Sequence, residues 1–359
     1  MAIPLFDTAT PLAPLQAELR VAIERVLASG RYILGPEVRE FETEFAQYVG
    51  ADHAIGVANG TDALTIALRA MGVGPGDEVV VPSFTFYATA EAVAPTGARP
   101  VFCDIDPATF CVTPETVKPA LSPRTKAVIA VHLFGNVAPV AAIEALGVPV
   151  LEDAAQAAGS LGPDGRPGAL GAAATFSFYP SKNLGAFGDG GAITTNDAGI
   201  ADRARMLRFH GSRDKQTFEE LGYNSRLDEL QAAILRVQLR HLDAWADGRR
   251  EAARRYAASG IGELVTLPTA SEGSRPAWHL YVVRSDRADQ LGAALRERGV
   301  EARAYYRRPL HRQPALAVDI ELPATDEAAR TSLALPIGPT LRAAQVDEVA
   351  AAIRATLVP

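Results

Sequence analysis

From about residue 50 to residue 195, short apolar runs alternate with helical patterns. The runs His53–Ala58, Glu78–Pro82, Pro100–Asp104, Ala127–His132, Val148–Glu152, Ala174–Phe178 and Ala192–Thr195 predict strands. Helical spacing falls between several of them, at Thr61–Met71, Ala88–Ala94, Pro114–Leu121 and Pro139–Leu146. Strand–helix alternation of this kind predicts an α/β domain around a mainly parallel sheet. Ligands in such sheets bind beyond the strand C-termini, in the connecting loops.

A helical stretch follows at Ile200–Phe209. A longer one runs from about Leu227 to Ala257, with Leu227, Leu230, Ile234, Val237, Leu239, Leu242 and Trp245 on one face. After Gly260 and Gly262 the pattern changes. Leu280–Val283 predicts a strand, Asp289–Arg298 a helix, Glu301–Tyr306 a further strand and Ala343–Leu357 a final helix. The expected organisation is a large α/β domain over 1–255, which includes the N-terminal segment, and a smaller α+β domain over 256–359.

The chain is long enough for about two domains. Its 48% hydrophobic and 21% charged content is that of a globular protein. A net charge of −7 and the absence of a Lys/Arg block argue against nucleic acid as a partner. The Arg-rich stretch Arg249–Arg255 alternates with Ala and Glu and reads as the solvated face of a helix. No apolar run approaches the ~20 residues of a membrane helix, and the N-terminus has no leader pattern. Cys103 and Cys111 fit neither a disulfide framework nor a zinc site, so two reduced thiols and a cytoplasmic location are expected, with no metal.

The strand-like Ala174–Phe178 delivers Lys182 to a loop that runs through Gly185, Gly188, Gly190 and Gly191. A lysine pinned beside buried strands suits covalent chemistry, because its amine forms a Schiff base with a carbonyl such as the aldehyde of pyridoxal 5'-phosphate (PLP). A surface lysine in a flexible loop reads the segment equally well. Other loops add polar groups. Gly60 and Thr61 open a helix and offer a phosphate site, although Thr and Asp are also ordinary caps. Phe86 follows a strand and suits either stacking on a flat ring or the core. Asp153 ends a buried run, where a carboxylate needs a positive partner such as a protonated pyridine nitrogen; a helix cap is the plain alternative. Ser177 lies five residues before Lys182. Asn224 or Ser225 suits the N-cap of the long helix, which leaves Arg226 unexplained.

Taken together, Tyr32-Ile-Leu-Gly-Pro-Glu-Val, Gly56-Val-Ala-Asn-Gly-Thr-Asp-Ala-Leu64, Gly74-Pro-Gly-Asp-Glu-Val79, Glu152-Asp-Ala-Ala-Gln-Ala157, Phe176-Ser-Phe-Tyr-Pro-Ser-Lys-Asn-Leu184, Gly188-Asp-Gly-Gly191 and Asn224-Ser-Arg-Leu-Asp-Glu229 resemble the DegT/DnrJ/EryC1/StrS family of PLP-dependent sugar aminotransferases, nearly end to end. The resemblance implies the fold-type I architecture, a seven-stranded large domain and a homodimer with shared active sites. It implies that Lys182 carries the cofactor and moves the proton, that Asp153 pairs with the pyridinium nitrogen and that Gln156 contacts the ring hydroxyl. Phe86 would stack on the ring. Gly60, Thr61 and Ser177 would bind the phosphate, and Asn224 would reach the phosphate in the neighbouring subunit. Relatives with histidine in place of Lys182 act as sugar dehydratases, so the lysine implies transamination, from L-glutamate to a nucleotide-linked keto sugar.

Tyr179, Lys215, Arg226, Tyr305 and His311 are the candidate substrate contacts. The segment Tyr305-Tyr-Arg-Arg-Pro-Leu-His311-Arg-Gln-Pro314 is closer to relatives acting on 3-keto sugars, while Tyr305-Tyr306 replaces a common His-Tyr. Gln216-Thr217, after Lys215, departs from the usual Tyr-His. Arg226 suits a bidentate grip on a glutamate carboxylate. A C4-keto sugar or a cyclitol acceptor, and a PLP-fold regulator without turnover, are the alternative readings. No GxGxxG follows a first strand, which argues against a dinucleotide dehydrogenase.

Overall fold

The computed structural model describes residues 2–358. All seven expected strands of the large sheet form: β1 (His53–Val57), β2 (Glu78–Pro82), β3 (Arg99–Cys103), β4 (Thr125–Val131), β5 (Val150–Asp153), β6 (Ala173–Ser177) and β7 (Gly191–Thr195). Their order across the sheet is β1-β7-β6-β5-β4-β2-β3. β3, β2, β4, β5 and β6 run parallel, and β7 runs antiparallel to both of its neighbours, β6 and β1. Every residue of the parallel strand β2 is buried, and Val79–Val81 form its apolar run. Parallel strands covered on both faces need such continuous apolar runs.

A second sheet pairs β8 (Tyr281–Arg284) with β9 (Ser332–Leu335), antiparallel. It shares a core with helices Ala288–Glu297 and Ala343–Leu357 through Leu291, Leu295, Val349 and Ile353. The N-terminal helix Gln16–Ser29 has no core of its own. Its Leu19, Ala22 and Val26 pack on Ala233, Ile234 and Val237.

Three elements differ from expectation. The long helix is two, Glu229–Leu239 and Leu242–Ala258, interrupted at Arg240-His241. The apolar spacing continues through the break and hides it. Glu301–Tyr306 is no strand; Val300 bridges Ile3 and Arg303 bridges Ala334 as single pairs. The partner of β8 is instead β9, which follows directly on helix Pro323–Thr331. No helix among the described residues is long and apolar enough to cross a membrane.

Candidate active site

The reversal of β7 makes β6, residues 178–190 and β7 one hairpin, with Lys182 in its loop. Backbone bonds fix the loop: Phe178 N–H to Gly190 O (2.8 Å), Ala186 N–H to Phe178 O (2.7 Å) and Lys182 N–H to Tyr179 O (2.8 Å). At Gly185 a Cβ would stand 2.6 Å from the Pro180 carbonyl oxygen, so the turn closes only over glycine. Lys182 keeps some contact with solvent, but protein crowds its amine. Burial pushes its pKa down to about 8, against the opposing pull of the Asp153 charge.

Asp153 ends β5 and is buried. Its Oδ2 accepts from the Thr89 hydroxyl (2.9 Å) and its Oδ1 from the Ala155 N–H (3.2 Å). Burial raises its pKa despite those bonds and the opposing pull of the Lys182 charge. The carboxylate therefore lacks a full positive partner. Its neighbour Glu152 points to the opposite face, as strand alternation requires, and is satisfied there. It accepts from the N–H groups of Gly168 (3.0 Å), Leu170 (2.8 Å) and Gly171 (3.0 Å), and from His132 Nε2 (2.8 Å). His132 Nδ1 accepts the Ala138 N–H (3.0 Å), which assigns the ring proton to Nε2. Of the two adjacent acids, only Asp153 is left to serve a ligand.

At the end of β1, Asn59 caps helix Gly60–Ala70; its side chain accepts from the Asp62 N–H (2.8 Å). With that duty taken by Asn59, the Gly60 and Thr61 N–H groups have no acceptor among the described residues. Ser177 faces them. A Cβ on Gly60 would lie 2.7 Å from the Ser177 Cβ, and one on Gly191 would lie 2.5 Å from the Asn59 carbonyl. The register sets Val57 and Ser177 on either side of Gly191. Two free N–H groups at a helix N-terminus, with a hydroxyl opposite, fit a phosphate dianion.

Between these points, Gln156 uses its Oε1 to accept the Phe134 N–H (2.8 Å) and its Nε2 to donate to the Tyr306 hydroxyl (3.1 Å). Phe86 is 57% exposed, a large area for a loop phenylalanine, and its ring lies 6.3 Å from that of Tyr306. Tyr305 contacts Tyr306 edge-on. Tyr179 is exposed on the lysine loop. His311 is 1% exposed, with Nδ1 2.7 Å from Ser83 Oγ and Nε2 3.7 Å from Asp326. It ties the segment after Tyr305 to the loop after β2.

Asn224, Lys215 and Arg226 gather around Phe209 instead. Lys215 Nζ is 5.0 Å and the Arg226 guanidinium 6.0 Å from its ring, and Asn224 pairs with its backbone. No hydrogen bond or ion pair joins these three side chains to Lys182 or Asp153 among the described residues. Neither Asn224 nor Ser225 caps the helix. Asp228 does, accepting the Gln231 N–H at 2.8 Å, while Ser225 Oγ accepts the Ala58 N–H at 3.1 Å. Asn224 is left exposed, without that task.

A cavity of about 300 Å³ opens beside Lys182, between Phe6–Leu12, the lysine loop, Trp245 and Arg249. Arg249 is buried, which corrects its reading as part of a solvated face. Thr89 and His279 also escaped the sequence reading, since nothing local separates them from ordinary core residues.

Asp153 in want of a cation, unpartnered N–H groups opposite Ser177 and a lysine of lowered pKa close to Asp153 suit PLP: Asp153 for the ring nitrogen, Gly60, Thr61 and Ser177 for the phosphate, Lys182 for the aldehyde. The comparisons agree. The profile of the DegT/DnrJ/EryC1/StrS aminotransferase family matches residues 14–354. The chain belongs to that family, and its cofactor is PLP. It is similar to the dTDP-3-amino-3,4,6-trideoxy-alpha-D-glucose transaminase of Streptomyces venezuelae, 46% identical over 98% of this chain and 95% of the relative. It is 45% identical to a "pleiotropic regulatory protein" of Geobacillus stearothermophilus, over 97% of each chain. The crystal structure of S. venezuelae DesV in complex with a ketimine intermediate superposes with a TM-score of 0.96, at 45% identity, over 100% of this chain and 99% of that one.

Proposed function

We propose that the protein moves the amino group of L-glutamate to the C3 keto group of a keto-deoxysugar linked to a nucleoside diphosphate. The observation that carries this reading is the pairing of Lys182, its pKa near 8, with a buried Asp153 that lacks a full counter-charge. PLP held there supplies the electron sink of transamination. Asp153 would face the ring nitrogen, Gln156 would orient the ring edge and Phe86 would cover its face. Gly60, Thr61 and Ser177 hold the phosphate. Lys182 Nζ would hold the cofactor and would then move a proton between the substrate carbon and the cofactor, in opposite senses in the two half-reactions. A lowered pKa suits it to both tasks near neutral pH. The name of the S. venezuelae relative supports C3 over C4 or a cyclitol.

On this reading the chain works as a homodimer. Asn224, exposed and free of a capping role, reaches the phosphate site of the second copy. Lys215 and Arg226 accompany it, while Tyr179, Tyr305 and His311 form or brace the wall around the acceptor. The chain divides into 1–255 and 256–359, within helix Leu242–Ala258. Cys103 and Cys111, both buried and unpaired, fit a reducing cytoplasm.

The test is the visible spectrum of the purified protein before and after L-glutamate, followed by candidate 3-keto and 4-keto nucleotide sugars and a keto-inositol. A yellow band that bleaches with L-glutamate and returns with a 3-keto sugar is expected. The regulatory name of the Geobacillus relative favours a second reading, a binder without turnover; a band indifferent to every donor and acceptor would count for it and against transamination.

A further inference from the structure

Arg249 lies in helix Leu242–Ala258, on the wall of the cavity that also holds Lys182. It forms no ion pair among the described residues. Its Nη1 donates to the Trp278 carbonyl (3.2 Å) and the Ile337 carbonyl (3.5 Å). These bonds hold the guanidinium in place and leave its Nε–Nη2 edge without an acceptor among the described residues. That edge carries two parallel N–H groups, the fork that matches a carboxylate.

The surroundings are short of negative charge. Asp7 is the one acid on the cavity wall, and its Oδ1 is engaged by the N–H groups of Ala9 (3.1 Å) and Thr10 (2.9 Å). His279, near both Lys182 and Arg249, has a buried Nδ1 with no partner among the described residues. Burial first, and then the charges of Lys182 and Arg249, keep its pKa well below the usual value, so it is neutral at physiological pH. Burial alone lowers Arg249 to about 10, which still leaves it cationic. A buried cation beside an open volume, with no carboxylate bonded to it, is costly until an anion arrives.

We propose that Arg249 anchors the amino donor: its Nε–Nη2 edge grips a carboxylate of L-glutamate and sets the donor amine beside Lys182. The assignment rests on the aminotransferase reading above and gives the donor a subsite separate from Arg226. About 300 Å³ accommodates a five-carbon amino acid.

The PLP-loaded protein tests it in two ways. Single-turnover bleaching by L-glutamate is compared in wild type, Arg249→Gln and Arg249→Lys, alongside the return half-reaction from the pyridoxamine form with the keto sugar. Both variants should raise the apparent Kd for L-glutamate by at least ~10-fold and leave the sugar half-reaction unchanged. An unchanged glutamate dependence, or equal losses in both halves, overturns the assignment. The second test needs no variant. Trp245 lines the cavity and the Trp278 carbonyl holds Arg249, so tryptophan emission is followed during titration with glutarate and with neutral glutaramide. A saturable change with glutarate alone is expected; the same response to both, or to neither, overturns it. Saturation by glutarate in a protein that no amino donor bleaches would sink the transaminase reading while leaving an anion site at Arg249.

Discussion

Replacing Asp153 with Asn should push stability and activity in opposite directions. Asparagine has nearly the same shape. Its Oδ1 can keep the Ala155 N–H, and Thr89, already 3.2 Å from Thr85 Oγ1, can turn its hydroxyl there and accept from the new amide. The local framework therefore survives and only the charge is removed. In the cofactor-free chain the Asp153 pKa lies above its ordinary 3.8 because of burial. Between those two values the folded state binds more protons than the unfolded state, so stability falls as pH rises through that window. Asp153→Asn should abolish this fall and melt higher than wild type at pH 8 without PLP. With PLP the order reverses, because the variant gives up a charge-assisted bond to the ring nitrogen, about 1.5–3 kcal/mol. At 1.36 kcal/mol per factor of ten, that is roughly 10- to 150-fold in the rate of the glutamate half-reaction. Melting curves at pH 5 and pH 8, with and without PLP, and stopped-flow bleaching by L-glutamate check both limbs. A wild-type rate in Asp153→Asn, or a cofactor-free wild type whose melting temperature does not fall relative to the variant, would refute the role given to Asp153.

Lys182→Ala should leave the protein folded, with an unchanged far-UV spectrum, and unable to turn over. Capture of PLP by the cofactor-free chain needs the neutral amine, so its rate should rise with pH through about 8 and then level off; a flat profile from pH 6 to 9.5 would contradict the lowered pKa. Glu152→Ala removes the acceptor for three backbone N–H groups and His132 and should cost roughly 3–5 kcal/mol in urea unfolding. Gly191→Ala drives a methyl against the Asn59 carbonyl, with an expected loss of about 1–3 kcal/mol and faster PLP release on dialysis.

The large sheet is readable from sequence because strands covered on both faces need unbroken apolar runs, as in Val79–Val81. The small sheet is not. Ser332-Leu-Ala-Leu335 continues from a helix without a turn signal, and four residues carry too little periodicity to distinguish the two states. The break at Arg240-His241 is invisible for a related reason, since a helix that kinks between two packed faces keeps its spacing. At the site, Lys182, Asp153, Gly60 and Ser177 stand in local patterns that chemistry can interpret. Asp228 and Asn224 are both good caps, and only tertiary placement decides between them. Arg249 lies in a run of arginines whose later members, Arg254 and Arg255, meet solvent and Glu251, and its burial depends on segments distant in sequence, at Trp278 and Ile337.

The reversal of β7 also sets an order in time. β1 leaves the ribosome more than a hundred residues before β7, its one neighbour in the large sheet, and at ~5–20 residues per second it waits roughly ten seconds or more with neither edge matched. Pairings this distant in sequence form late. The phosphate notch is built across that closing seam, from Gly60 on one side and Ser177 on the other, with Gly191 between. A nascent chain that has not yet made β7 has no such notch, even though Lys182 has already been synthesised. Acquisition of yellow colour during synthesis would thus mark the moment when the large sheet closes.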